Sequence, residues 1–477
     1  VKAAVFWIEN SNVTISNYGY TWVESNVAGP NLRTLYIAGS SQVTLRDKFA
    51  ITFGAPGVNP DTRPIYVGSG STLNLNNATL IARIDSRNLQ YNVPYYLIQN
   101  NGTVNGQWGG LERGYSNPSI LVNWYNSTSL GADSAVIFTY QTTQQDSAPV
   151  AGSIGASDIG TTSVIGAMLM DASPTFNFFV QGERPVMLAS SAFSDAGYAS
   201  LGGPRAGQKG IFWLMPLYTR IEAKDLGFKG NSYGLSMGLG GKLTQRAGLE
   251  VFGGYLRNDL DYTVRGADDL DQDNWFGGFN FIYNPKPYIF RVSGLAYKAN
   301  NDYSGKTGAN YDLKETASYD SNGYRVEAMG GYVFGQRVKL VPQIGLSYSY
   351  HSLDSFWTKV PDNPGLRKKI KADDLDVWKV KGLLSVVGET GAGKGLARYY
   401  FGAKVEQAIS DNDVEALVTV AGTTNKVKRS ISDTTYGVNA GLNYIYNKRW
   451  NFEVSGSADF NSDYSSYTGK AILRYSF

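Results

Sequence analysis

The C-terminal part of the chain alternates strictly between apolar and polar residues, and this pattern constrains the fold more than any other feature. Over residues 450–461 every second residue, from Trp450 to Phe460, is apolar or small, and polar residues such as Glu453 fill the positions between. Residues 436–447 and 467–477 repeat the pattern, with aromatic residues near both ends of the apolar face. Alternation over about ten residues is typical of a strand between lipid and a wet lumen. It predicts a membrane β-barrel rather than a soluble β-sandwich, whose strands are usually shorter.

Composition narrows the classes of function. The chain has 477 residues but no run of about 18 apolar ones, which argues against a transmembrane helix. It has no cysteine and one histidine, His351, so disulfides, thiolate chemistry and most histidine-based catalysis or metal binding are not expected. The net charge of +3 is too small to indicate a nucleic-acid partner. We therefore expect no cofactor, no metal and no enzyme activity in this chain.

An internal repeat marks residues 1–150 as a separate domain. Residues 35–45 align with residues 65–75, and the same pattern begins at residue 5, so the period is thirty residues. Each unit holds two short alternating strands and no helix. Such a period is typical of a β-solenoid, although a β-sandwich with a coincidental match is an alternative.

The solenoid needs a cap over its last rung. Residues 95–99 and 135–140 read as two strands that could pair across the open end. We assign the cap to the apolar and aromatic residues of this region, namely Tyr95, Tyr96, Leu97, Ile98 and Trp108.

The patterning breaks between the two domains, and residues 151–207 are predicted to be a linker. Residues 144–160 are rich in small and acidic residues, whereas 161–172 and 185–200 have modest helical character. In the second stretch Val186, Leu188 and Phe193 could share one face of a helix that runs through the barrel lumen. An irregular connector is the alternative.

Residues 208–477 contain about twelve predicted strands, a count that could be wrong by two. Short connections alternate with longer ones, which we place at 257–272, 299–322, 352–374 and 410–433. With an even count both ends of the barrel lie on the periplasmic side, so the solenoid either stays there or passes out through the lumen. In the third long connection Arg367, Lys368, Lys369 and Lys371 could touch lipopolysaccharide phosphates or simply be solvated.

The predicted first hairpin (210–222 and 233–239), the rungs with residues 91–109, and the terminal Leu473 to Phe477 carry a resemblance to a known family. Nearly the whole chain resembles the C-terminal part of a classical (type Va) autotransporter. The resemblance implies an all-β protein in which the last rungs of a right-handed parallel β-helix precede, after a short helical linker, an outer-membrane translocator barrel of about twelve antiparallel strands. It also implies that the barrel exports the solenoid, its passenger, to the surface of a Gram-negative cell.

By the same resemblance, Leu473, Tyr475 and Phe477 would be an outer-membrane assembly signal, read by the barrel-assembly machinery after escort by periplasmic chaperones. Outer-membrane lipids and lipopolysaccharide would surround the barrel. The passenger would be an adhesin or another surface-interaction module whose ligand is unknown, and we expect most of it to lie upstream of Val1. Because Asn177 is the only asparagine between residues 151 and 210, self-cleavage by a paired asparagine is not expected.

Two other functions stay open at the level of the sequence. One is a diffusion pore with a periplasmic solenoid, and the other is a carrier of a surface enzyme located upstream of this chain. Whether the linker fills the lumen distinguishes the pore from the translocator.

Overall fold

The structure is a computed structural model. It describes residues 4–15, 33–54, 60–126, 130–143, 146, 148–154, 210–224, 227–244, 246–285, 287–335, 338–392, 395–411, 413–430, 433–446, 450–462 and 464–477. Within these ranges no helix has the length and apolar character needed to cross a membrane.

The N-terminal domain consists of short strands separated by turns. In chain order these strands are β1 (Ala4–Glu9), β2 (Asn12–Ile15), β3 (Arg33–Ala38), β4 (Gln42–Leu45), β5 (Lys48–Phe53), β6 (Ile65–Val67), β7 (Thr72–Asn74), β8 (Thr79–Ile84), β9 (Pro94–Tyr96), β10 (Ile98–Asn100), β11 (Thr103–Asn105), β12 (Gly110–Arg113), β13 (Ile120–Trp124) and β14 (Ala135–Tyr140). They form three parallel sheets, ordered β1-β3-β6-β10, β2-β4-β7-β11 and β5-β8-β12, and one antiparallel sheet, β13-β14-β9.

The thirty-residue repeat in the sequence corresponds to the register in which the parallel strands pair. Leu35 pairs with Ile65 and Ile37 with Val67, thirty residues apart, as the period predicted. These side chains are fully buried, because each rung places its alternate residues in a stacked interior. The described parallel strands therefore have the thirty-residue register that the repeat predicted.

The last rung is covered by the antiparallel sheet. The predicted pairing of the 95–99 and 135–140 regions is present, with Val136 opposite Tyr95. The single strand predicted over residues 95–99 is wrong, however, because β9 ends at Tyr96 and β10 begins at Ile98 in a different, parallel sheet. A turn of direction at Leu97 lets one short segment serve both the cap and the last rung.

The C-terminal domain contains long strands and a small accessory sheet. Its strands are β15 (Gly210–Ala223), β16 (Phe228–Lys242), β17 (Ala247–Tyr262), β18 (Ala267–Tyr283), β19 (Tyr288–Thr307), β20 (Leu313–Tyr332), β21 (Val338–Leu353), β22 (Phe356–Trp357), β23 (Lys369–Ala372), β24 (Leu375–Ala392), β25 (Gly395–Ala408), β26 (Asp413–Val420), β27 (Thr423–Ser430), β28 (Thr434–Tyr446), β29 (Trp450–Phe460) and β30 (Tyr464–Ser476).

Twelve of these strands close into one antiparallel barrel, in the order β15-β16-β17-β18-β19-β20-β21-β24-β25-β28-β29-β30. The first strand pairs with the last, which leaves no sheet edge exposed within the barrel wall. Because the count is even, Gly210 and Phe477 lie at the same end, here called the termini end. The opposite end, here called the loop end, carries the connections that follow β15, β17, β19, β21, β25 and β29.

Two of the predicted long loops are wrong. The 257–272 region is strand up to Tyr262 and again from Ala267, and the 299–322 region is strand up to Thr307 and again from Leu313. In these stretches the outward face is polar, as at Arg257 and Asp261, whereas inward residues such as Leu260 are apolar and buried, so the apolar outer face on which the prediction depended is missing. Backbone pairing continues there nonetheless, and the barrel wall extends well beyond its apolar band.

The other two long connections carry structure of their own. The 354–374 connection holds β22, a 3₁₀ turn (Pro364–Leu366) and β23, and the next holds the hairpin of β26 and β27. These four strands form one sheet, ordered β22-β23-β26-β27, at the loop end. The solenoid cap rests against this sheet and against the turn at residues 308–312, since Asn117 donates from Nδ2 to Gly308 O at 2.8 Å.

The barrel wall separates two kinds of side chain. Large apolar residues such as Trp275, Ile344 and Leu442 are exposed on the outside, where aromatic residues also line both rims. The side chains between them point inward and are mostly polar and buried, as Gln272 and Asn301 are. This division confirms the predicted lipid-facing and lumen-facing sets.

Candidate functional site in the barrel lumen

A short helix at residues 148–154 lies inside the loop end of the barrel. Its apolar side chains, Ala148, Val150, Ala151 and Ile154, are fully buried in one cluster with wall residues of β15 to β20. Pro149 stands in the first turn, where a proline fits a helix. From the sequence we expected a linker at residues 144–160 and helical character only at 161–172 and 185–200, so the helix at 148–154 was not predicted. The helix also crosses the boundary drawn at residue 150.

One glycine lets this helix approach the wall. A Cβ atom at Gly152 would lie 2.1 Å from the Tyr262 hydroxyl oxygen, so no larger residue fits. The same hydroxyl donates to the carbonyl oxygen of Ala148 at 2.8 Å, and the Tyr319 hydroxyl donates to that of Pro149 at 2.9 Å. The first turn of the helix is therefore held by two tyrosines of the wall.

Polar lumen side chains hold the end of the helix as well. The Ser153 hydroxyl donates to Asn301 Oδ1 at 2.6 Å, and Gln272 Nε2 donates both to the Ser153 carbonyl and to Asn301 Oδ1. Asn301 Nδ2 in turn donates to the carbonyl of Tyr319 and to the Ser321 hydroxyl. Buried amides that satisfy one another in this way fix a position strongly, because each would be costly to leave unpaired. We call Tyr262, Gln272, Asn301 and Tyr319 the lumen ring.

A network of buried charges spans the lumen nearer the middle of the barrel. Lys381 lies 3.1 Å from Glu327 and 3.0 Å from Glu406, and Lys404 continues the network to Asp459 at 2.9 Å. Arg325 adds a third cation, 3.6 Å from Glu406, which gives three cations and three carboxylates. The residues come from β20, β24, β25 and β29, so the network stretches across half of the barrel. Buried charges of this kind tolerate burial only while they remain paired.

A third polar cluster joins the loop end to the C-terminal part of the predicted passenger (residues 1–150), here called the passenger end. Lys368 lies 2.9 Å from Asp146 and 2.8 Å from Glu315, and all three side chains are almost completely buried. Burial alone would lower the pKa of Lys368, but the two carboxylates outweigh it and raise this pKa well above its ordinary value. Burial, followed by the charge of Asp146, raises the pKa of Tyr140, whose hydroxyl donates to Asp146.

The sequence did not single out this cluster. Lys368 stands in a run of basic residues that we expected to be solvated or to face lipopolysaccharide, and for Lys368 both readings are wrong. Its neighbours Arg367, Lys369 and Lys371 are exposed, as expected. Nothing local distinguishes Lys368 from them, because its burial depends on β20 and on the passenger end packing over it.

The three residues of the predicted assembly signal lie on the last strand and beyond it. Leu473 is 37% exposed and Phe477 is 57% exposed on the outer face of the barrel. Tyr475 packs against Trp450 of the neighbouring strand, with ring centroids 4.9 Å apart. The structure therefore places all three at the termini end, at the seam between the first and last strands.

The five predicted cap residues have different environments. Tyr95 is buried between Phe53 and Phe138, and its hydroxyl accepts a hydrogen bond from the Gln90 backbone. Leu97, Ile98 and Trp108 are also buried in the solenoid core. Tyr96 by contrast is 38% exposed, with the Arg63 guanidinium over its ring. Four of the five therefore belong to the core, and Tyr96 lies on the surface.

The predicted lumen helix residues Val186, Leu188 and Phe193, like the whole of residues 161–172 and 185–200, lie outside the described residues. His351, the one histidine, faces the interior, with Nδ1 2.8 Å from the Tyr297 hydroxyl.

Comparison with known proteins identifies the barrel. The family described as the autotransporter beta-domain matches residues 212–457, more than half of the chain. No curated protein matches the chain.

Among solved structures, the translocator domain of the autotransporter NalP from Neisseria meningitidis is similar at 16% identity, covering 59% of this chain and 92% of that one, with a TM-score of 0.46. The beta domain of the Bordetella autotransporter BrkA is also 16% identical, covering 56% and 100%, with a TM-score of 0.43. A monoaromatic hydrocarbon channel, CymD, is 10% identical, covering 63% and 94%, with a TM-score of 0.41. At these scores the assignment rests on the family match.

Proposed function

The chain belongs to the autotransporter family and its barrel is an outer-membrane translocator that exports its own passenger; on that premise we propose that residues 1–150, the end of this passenger, lie on the cell-surface side of the barrel. The observation that carries the proposal is the position of the passenger end. It packs on the loop end of the barrel, whereas Gly210 and Phe477 lie at the opposite, termini end. In an outer-membrane barrel of even strand number the termini end faces the periplasm. The passenger end and Gly210, where the first barrel strand begins, are thus on opposite sides of the membrane.

The lumen supports the translocator over the diffusion pore. The helix at 148–154 is held by the lumen ring, and the charge network extends across half of the barrel below it. A chain in transit must displace both sets of contacts, so we place their formation after the passenger has crossed. A diffusion pore would keep this space open to solutes.

The passenger fold provides a direction for export. Each rung stacks on its neighbours, and β10, β11 and β12 pair in parallel with β6, β7 and β8. Adding rungs to a finished end buries apolar surface, so folding outside the cell favours outward movement without nucleotide hydrolysis.

Surface interaction, with adhesion as its simplest form, is the proposed task of the passenger. A row of stacked aromatic rings, Trp7, Tyr36 and Tyr66, lies on its outer face with centroid distances of 4.5 and 4.6 Å. Trp7 is 48% exposed. Attachment and settling of cells that display the chain should decrease in the Trp7→Ser variant if this face takes part, and unchanged behaviour would argue against it.

The proposed partners follow from the exposed residues. The outward-facing Leu473, Tyr475 and Phe477 are available at the barrel seam for the barrel-assembly machinery, with periplasmic chaperones acting earlier. Lipids would contact the outer wall, and the phosphate groups of lipopolysaccharide would contact the exposed cations of the 354–374 connection at the loop end, Arg367, Lys369 and Lys371.

Protease treatment of intact cells tests the proposed topology. An epitope placed at Ser40, in an exposed turn of the passenger, should be removed while the barrel stays intact. A matched epitope after Thr244, in the first turn at the termini end, should survive until the outer membrane is permeabilised. If the Ser40 epitope also survives until then, the solenoid is periplasmic and the pore becomes the better account.

A further inference from the structure

We infer that the loop end of the barrel is a receptor for the passenger end, and that a buried ionic clamp of Asp146, Lys368 and Glu315 holds it there in one orientation, independently of the covalent connection through residues 155–209. The inference rests on the proposed function, since it assumes that the passenger end reaches the outer side of the barrel. It adds a non-covalent joint between two parts of one chain.

The barrel half of the clamp is built without the passenger. Lys368 follows the 3₁₀ turn of the 354–374 connection, and its backbone N–H donates to the Thr358 hydroxyl at 2.9 Å. The same connection pairs with β20 through Lys359 and Thr316, whose backbones exchange two hydrogen bonds. Lys368 is thereby set beside Glu315, the residue before Thr316, at 2.8 Å. The loop end alone supplies one carboxylate for this ammonium group.

The passenger half is equally well ordered. Asp146 Oδ1 accepts from the Tyr140 hydroxyl at 3.0 Å, and its Oδ2 accepts from the Thr143 backbone at 2.8 Å. Tyr140 ends β14, so the cap sheet determines where the carboxylate points. Asp146 then meets Lys368 at 2.9 Å and supplies the second carboxylate. Two preformed halves combine with little further ordering, which favours a specific joint.

Apolar packing surrounds the clamp and excludes water. Val360 and Leu366 of the 354–374 connection, with Ala309, Leu313 and Val420 from other parts of the loop end, belong to the same buried cluster as the solenoid core. In such surroundings salt screens a charge pair only weakly, and removing one partner leaves an uncompensated charge. Separation of the passenger end from the loop end would leave a buried charge without its partner and is therefore unfavourable.

Backbone hydrogen bonds make the docking geometry specific. Asn117 donates from its backbone to Ala309 O and from its side chain to Gly308 O, each at 2.8 Å. Ser86 accepts from the Ala309 backbone and donates to Asp312. At a different loop, the turn between β26 and β27, Asn92 Nδ2 donates to the Ala421 carbonyl at 2.7 Å. Bonds at two separate places restrict tilting as well as separation.

A single engineered thiol can report whether the joint opens. The chain has no cysteine, so Val360→Cys introduces one buried thiol at the joint, and Ser40→Cys provides an exposed reference on the passenger. Intact cells are treated with a membrane-impermeant maleimide, and the labelling rates are compared. The Asp146→Asn variant tests the clamp, because Lys368 keeps Glu315 and the barrel half stays paired. Asp133→Asn, an exposed cap residue, is the matched control.

We expect the Val360→Cys thiol to react at least about tenfold more slowly than the Ser40→Cys thiol. When Asp146→Asn is added to Val360→Cys, we expect the thiol to react at least about tenfold faster than in Val360→Cys alone. Asp133→Asn should leave its rate unchanged. An Asp146→Asn rate equal to that of the parent, or a parent rate equal to that of the exposed reference, would overturn the clamp. If Ser40→Cys is not labelled on intact cells, the proposed topology fails instead, and the same rates measured on purified protein in detergent then test the clamp separately.

Discussion

The first and last residues of the barrel, Gly210 and Phe477, exchange two backbone hydrogen bonds, each N–H donating to the other's carbonyl oxygen at 3.2 and 3.0 Å. A Cβ atom at Gly210 would lie 2.8 Å from the Phe477 ring. The terminal aromatic residue therefore closes the seam between β15 and β30 and also remains exposed on the outer face. One residue serves both barrel closure and the proposed assembly signal.

Deleting Phe477 should reduce insertion into the outer membrane and lower the stability of the inserted barrel. Two hydrogen bonds are lost at the seam, each contributing about 1 kcal/mol. The amount of folded barrel in outer-membrane fractions can be measured from its heat-modifiable migration in gels. Ser476→Ala, which keeps the backbone pairing, is the control. Normal insertion without Phe477 would count against the signal.

Tyr95→Ala and Tyr96→Ala should have very different effects on the passenger end. Tyr95 is buried among aromatic rings, so its truncation should cost about 3–5 kcal/mol, whereas the exposed Tyr96 should cost about 1 kcal/mol or less. Unfolding in urea, together with the rate at which the passenger reaches the cell surface, measures the difference. Equal effects would mean that the cap is not organised around Tyr95.

Replacing Asn301 with leucine should loosen the lumen helix and raise the ionic conductance of the purified barrel in planar bilayers. The change removes an acceptor for Ser153 and Gln272, and each buried group left unpaired costs about 1–3 kcal/mol. Asn300→Leu, on the outward face of the same strand, is the matched control. The lumen ring would have no role in closing the barrel if both variants conducted like the parent.

The stability difference between the parent and Asp146→Asn should stay constant from pH 7 to pH 9.5. The pKa of Lys368 is raised in the folded protein, so its contribution is fully present below the ordinary lysine value of about 10.4 and is lost only as the pH rises through the raised one. The pKa of Tyr140 is also raised, so its hydroxyl stays protonated in this window. Thermal unfolding followed by circular dichroism measures the difference at each pH. A difference that vanished by pH 9.5 would show that Lys368 loses its proton inside the clamp.

Sequence patterns predicted the parts of the fold in which a side chain's environment repeats along the chain. The apolar face of β29, from Trp450 to Phe460, and the thirty-residue spacing of Leu35 and Ile65 are such repeats, and the structure has both. The prediction was wrong near Tyr262 and Thr307, where the strands continue beyond the apolar outer band and the outward face becomes polar. Backbone hydrogen bonds to the neighbouring strands still hold these residues in the barrel wall, and such bonds leave no apolar–polar alternation in the sequence.

The functional sites depended on contacts between residues far apart in the chain. Asp146, Glu315 and Lys368 come from the passenger end, a barrel strand and a loop, and no local pattern connects them. The adjacent tyrosines Tyr95 and Tyr96 look alike in sequence, yet only one is buried. They are successive residues of β9 and therefore face opposite sides of the cap sheet.

The sequence by itself determined that this chain has a membrane barrel of about twelve strands and a solenoid, because lipid, lumen and rung interior each impose a period on the residues that face them. Only the tertiary structure decided where the two parts meet, which segment enters the barrel mouth and which lysine is buried. These outcomes depend on packing between segments that are far apart in the sequence. Gly152 is needed because Tyr262 lies against it, and Lys368 is buried because Asp146 packs over it, and neither contact produces a periodic pattern in the sequence.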